Sequence, residues 1–181
     1  MVLFPGWNRP LFYFATNLEN YTKYALGAAF GGVIIKMGYF LWVHPNEDWD
    51  MYVRFAYLLL FLLALFLGLR SFKADYPNTD LTIDVKTGMK TTSIFAIIIS
   101  AFTWVYYRFI NPEYFAGKIE DVKIAAEQSE NATENAINTA EFIFNAFTHS
   151  TITLLGMMII GFFYTLILVL IMRAKPEVFN A

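Results

Sequence analysis

Lys36 is the one charged side chain set well inside a long apolar stretch of this chain. A lysine at the centre of a membrane span costs roughly 2.5 to 3.5 kcal/mol, so such a residue is a functional group by default. It could bind an anionic ligand, face a partner's carboxylate or join a proton relay. No aspartate or glutamate is expected within the spans to pair with it, which argues against a relay inside one chain. Its ammonium can snorkel about two turns toward the end of its span, where Asp50, Glu113 and His149 complete a candidate polar site. The plainer reading is an anchor that reaches the interface. His149 and His44 among scattered carboxylates lack the spacing of a metal centre, so no metal is expected. The chain contains no GxSxG, no HExxH, no glycine-rich phosphate loop and no pair of aspartates inside a span. Neither an enzyme nor a cofactor is expected.

The elements that must position these residues follow from composition. The chain has 181 residues, 57% hydrophobic, 19% aromatic and 15% charged, with no cysteine and a net charge of -2. Soluble domains carry roughly 25% charged residues, so this chain needs the lipid bilayer as its solvent. The charge balance gives no basic footprint for nucleic acid. Absence of cysteine removes disulfides and thiolate ligands.

Apolar runs long enough to cross ~30 Å of hydrocarbon fall at about 24–43, 53–71, 90–109 and 150–172. These predict an all-α integral membrane protein of four transmembrane helices, a single membrane domain over residues 1–181. With the N-terminus inside, Arg9, Lys23, Arg70, Lys73, Lys86, Lys90, Arg173 and Lys175 lie inside, against Arg54, Arg108, Lys118 and Lys123 outside. That bias predicts both termini in the cytoplasm. The aromatic segment Phe4 to Phe14, broken by Pro5 and Pro10, is expected to lie in the cytoplasmic interface.

Between spans three and four, residues 112–148 form an insert too long and too acidic for a slack loop. Phe115, Ile119, Val122, Ala126, Ser129, Thr133, Ala136, Ala140, Ile143 and Phe147 repeat at alternating steps of four and three, predicting one dry face. A single helix of that length would end ~55 Å from its start, yet the chain must return to the same membrane surface. An extracytoplasmic helical hairpin is therefore expected, turning at Ser129-Glu130-Asn131, with Asn131 and Glu134 at capping-box spacing. In span one, Gly27, Gly31 and Gly38 share a face within ~40° on a helical wheel and predict a groove for a neighbouring helix, within the chain or in a dimer. The expected partner is a membrane protein or a second copy of the chain.

The KYALGAAFGG opening of span one, YRFINPEYF at the end of span three, the acidic insert and the closing MRAKPEVFNA together resemble a family of small bacterial membrane proteins. It is the domain-of-unknown-function family four-one-nine-nine of Gram-negative bacteria. Lys36 and the aromatic N-terminal segment are not features of that resemblance. The resemblance implies an inner-membrane location, a four-helix topology and a setting beside a glycosyltransferase that uses lipid-linked sugars. The function expected is a non-enzymatic accessory or scaffold subunit of an envelope complex. The alternative is a small carrier or channel organised around Lys36.

Overall fold

The computed structural model describes residues 18–42, 47–127 and 134–175, and the side chains of 21–42, 51–127 and 135–175. The aromatic N-terminal segment, His44, the Asp50 side chain and the turn at 129–131 lie outside the described residues. Among the described residues every regular element is a helix. The helices are α1 (Leu18–Trp42), α2 (Glu47–Asp75), α3 (Leu81–Val105), a π turn (Tyr106–Ile110), α4 (Glu113–Glu127), α5 (Glu134–Ile143) and α6 (Ala146–Ala174).

Four stretches are long and apolar enough to cross a membrane: Tyr21–Trp42, Met51–Asp75, Leu81–Ile110 and Ala146–Ala174. All run longer than the apolar residues alone suggest, because charged residues at their ends continue the helix. The third differs most. It begins nine residues before the expected 90, so that Asp84, Lys86 and Lys90 are helical. Its start is set by Asp80, whose carboxylate accepts a hydrogen bond from the Ile83 amide at 2.8 Å, the geometry of an N-cap. The expectation that no acid lies in a span is corrected by Asp84.

Contacts among the described residues gather into two compact units. The first holds residues up to Phe95 together with those from Met158 onward; the second holds Ala96–Met157. In the first, α1 packs along α2. The buried stripe of α1 runs Tyr21, Ala25, Ala29, Gly32, Lys36 and Tyr39, steps of three and four that keep one face inward. Of Gly27, Gly31 and Gly38, a side chain added at Gly31 would come within 3.6 Å of Leu60 on α2, one at Gly27 would meet nothing within 4 Å, and one at Gly38 would face Trp42 of its own helix.

The close helix approach lies elsewhere. Gly88 of α3 is covered by the Thr165 side chain of α6, and Gly161 of α6 by Thr92 of α3. Each helix thus presents a glycine and a threonine one turn apart, and the antiparallel pairing seats each threonine over the other's glycine. Small residues let backbones approach where lipid tails offer no hydrophobic drive. The hydroxyls of Thr92 and Thr165 are buried without a hydrogen-bond partner, whereas Thr87 and Thr91 donate to carbonyls one turn back. Phe61 of α2 and Phe95 of α3, centroids 5.3 Å apart, fill the space beside this seam.

In the second unit, the Ser100 hydroxyl donates to the Ser150 carbonyl at 2.8 Å, tying α3 to α6. The π turn, closed by the Asn111 amide on the Tyr106 carbonyl at 2.8 Å, buries both Tyr106 and Tyr107. Its wider turn brings successive side chains closer in direction than an α-helix does. Helices α4 and α5 pack on each other. On α4, Phe115 is buried, and Ile119, Val122 and Ala126 are half-buried.

On α5 the register differs. Ala140 is buried, but Ala136, Ile143 and Phe147 are exposed, and burial follows Ile137, Ala140 and Phe144. Phe147 lies beyond a break at Asn145. The Asn145 side chain accepts from the Thr148 amide at 2.9 Å and donates to the Phe142 carbonyl at 2.6 Å, capping α6 and closing α5. A heptad counted through that break loses phase.

Candidate functional site

The densest polar chemistry in the first unit surrounds Asp84, which is 0% exposed. Four donors converge on its carboxylate. Oδ2 takes Lys73 Nζ at 3.0 Å and the Arg173 guanidinium through NH2 at 2.7 Å and Nε at 3.1 Å. Oδ1 takes the Thr79 hydroxyl at 2.6 Å. The hydroxyl carries one proton, so at that distance it donates to Asp84 rather than to the Tyr76 carbonyl at 3.2 Å. Lys73 spends its other protons on Thr79 Oγ1 at 2.8 Å and on the carbonyls of Thr79 and Pro77 at 3.3 and 3.4 Å. Arg173 NH2 also reaches the Thr79 carbonyl at 2.7 Å.

These residues come from the end of α2, the turn after it, the first turn of α3 and the end of α6. One carboxylate therefore pins three helices at one end of the bundle. Taking a carboxylate fully out of water costs several kcal/mol unless its lone pairs are met, and here they are met by two cations and a hydroxyl. The cluster carries one net positive charge. Counting uninterrupted apolar runs misses it, because Lys90 marks the apparent start of span three. The legible signal is Asp80 followed by Asp84 one turn later, an N-cap and then an acid inside the new helix.

Beside this cluster, a cleft of about 640 Å³ is lined by Tyr21 of α1 and by Val85, Lys86, Met89, Lys90, Ser93 and Ile94 of α3. Lys90 Nζ lies 5.9 Å from the centroid of the Tyr21 ring. Tyr21 is 4% exposed, and its hydroxyl has no hydrogen-bond partner. Ser93 turns its own hydroxyl back onto the Met89 carbonyl at 2.8 Å.

The expected polar site is distributed between the two units. Lys36 is buried in the first, its Nζ 5.7 Å from the Tyr39 ring centroid, a cation held over an aromatic face. Glu113 and His149 belong to the second. Glu113 opens α4 and is exposed. His149 sits edge-on to Tyr107 at 5.1 Å and to Phe115 at 5.5 Å, within an aromatic cluster completed by Tyr106 and Tyr114. Among the described residues no three of His, Cys, Asp and Glu gather as metal ligands.

Four long apolar helices, one of them pinned to two others by a buried charge cluster, define a multi-pass α-helical membrane protein. The chain belongs to the family described as protein of unknown function (DUF4199), whose model matches residues 23–174. Nothing matches it among curated proteins or among solved structures.

Proposed function

We propose that the protein is a non-enzymatic accessory or scaffold subunit of the inner membrane, with both termini cytoplasmic. It offers α4 and α5, as an extracytoplasmic acidic hairpin, to a membrane partner. The observation that carries this reading is apolar surface on helices too short to be spans: Phe142 is 72% exposed, with Ile124 and Ile143 exposed as well. The same two helices carry exposed carboxylates at Glu113, Glu120, Asp121, Glu127 and Glu141. Large apolar side chains left exposed among polar ones mark an interaction surface. The partner is a membrane protein, which the family resemblance implies to be a glycosyltransferase using lipid-linked sugars, or a second copy of this chain.

One observation favours the alternative of a small carrier: Lys36 is a buried ammonium on the inward stripe of α1. Affinity purification from the native membrane separates the two. Under the scaffold reading the wild type and Lys36→Leu each bring down a stoichiometric partner, and Phe142→Ser/Ile143→Ser does not. Recovery of the wild-type chain alone overturns the scaffold reading.

A further inference from the structure

Lys73 Nζ has four oxygens around it: Thr79 Oγ1 at 2.8 Å, Asp84 Oδ2 at 3.0 Å and the carbonyls of Thr79 and Pro77 at 3.3 and 3.4 Å. Three of them belong to the turn after α2, and the fourth to the fully buried Asp84 in the first turn of α3. An ammonium carries three protons, so four acceptors exceed what one directed hydrogen bond per proton can use. Two carbonyls, a hydroxyl and a carboxylate are also the ligand types that replace the water shell of a bare cation.

Distance and charge select the class of cation. Calcium takes oxygens at about 2.3 to 2.6 Å and magnesium at about 2.0 to 2.1 Å, each with six or more ligands, so this cage is too wide and too sparse for either. Asp84 Oδ2 and the Thr79 carbonyl also take Arg173 NH2, each at 2.7 Å. With the carboxylate shared in that way, the cage without Lys73 has no net negative charge, which disfavours a doubly charged ion and holds a singly charged one weakly. We infer that these four oxygens form a site for a large monovalent cation, potassium or ammonium, whose occupant in this protein is the ammonium of Lys73. The weak hold explains the tether: a stem rooted in α2 keeps the charge at the cage at any salt concentration, where a free ion would come and go. With the Lys73 side chain only 10% exposed, the junction of three helices is independent of which monovalent cation surrounds it.

The test is Lys73→Ala in the full chain in mixed micelles, its thermal midpoint read in potassium, ammonium or N-methylglucamine chloride at equal ionic strength. N-methylglucamine is too large for the cage and supplies screening alone. The variant rises in midpoint by about 3 °C from N-methylglucamine to potassium, saturating with concentration, and ammonium acts likewise. The wild type differs by less than about 1 °C among the three salts. Lys73→Ala/Asp84→Asn, which takes the carboxylate out of the cage, loses the response. Refolding yield is read in parallel, so that a variant too unstable to melt still reports, and it rises about twofold or more in potassium over N-methylglucamine. Indifference of Lys73→Ala to the cation in both readouts, the same potassium response in the wild type, or an equal response in Lys73→Ala/Asp84→Asn would each overturn the inference.

Discussion

Asp84→Asn probes the charge cluster at its centre. The substitution keeps the shape of the side chain and one acceptor oxygen, but it removes the negative charge and points an amide donor toward Lys73 or Arg173. Removing one partner of a buried pair costs roughly 3 to 5 kcal/mol, mostly from the charge left behind. Here the orphaned charges differ in exposure. Arg173 is 37% exposed and rehydrates; the Lys73 side chain is 10% exposed and does not, although its contacts with Thr79 and Pro77 remain. The expected loss is therefore about 3 kcal/mol, the lower end of that range.

Arg173→Gln should cost less, about 1 kcal/mol after allowing for its exposure, since Asp84 keeps Lys73 and Thr79. The double variant should fall short of the added single effects by at least about 0.5 kcal/mol, because both remove the same contact. Replacing the set together, Lys73→Met/Asp84→Leu/Arg173→Met, should restore stability to within about 1 kcal/mol of wild type. Reversible unfolding in mixed micelles, followed by circular dichroism, measures all four. An Asp84→Asn variant within about 0.5 kcal/mol of wild type, the ordinary scatter of surface changes, or strict additivity with Arg173→Gln, would refute the reasoning.

Two further outcomes concern the α3–α6 seam. Gly88→Ala places a methyl into the Thr165 side chain and should destabilise by about 1 to 3 kcal/mol; Thr165→Ala in the same chain should recover most of that loss, as the same unfolding assay would show. Thr92→Val replaces an unmet buried hydroxyl by a methyl of equal size, so it should be neutral or raise stability by up to about 1 kcal/mol, and a loss beyond that would mean the hydroxyl has a partner.

What the chain displays most openly is the set of spans, because each is a run of apolar residues interrupted by few charges. The inward placement of Lys36 was not set by that run but by its position at three- and four-residue steps from Ala29, Gly32 and Tyr39. The small residues that bring α3 and α6 together are Gly88 and Gly161, and each is recognised only when threonine is counted as the small residue one turn away. The Asp84 cluster was hidden because charges that meet in space each look, along the chain, like a span boundary. Heptad counting carries Ile143 on to Phe147 across Asn145, where a side-chain cap ends one helix and starts the next.

The topology we propose has α6 crossing the membrane between an outer helical pair and a cytoplasmic C-terminal end. The chain has no cysteine, so single-cysteine variants report cleanly. Gly117 on α4, where an added side chain meets nothing within 4 Å, and the exposed Lys175 bracket that crossing. In intact cells or spheroplasts a membrane-impermeant maleimide should label Gly117→Cys at once and Lys175→Cys only after permeabilisation. Labelling of both from the same side would contradict the account.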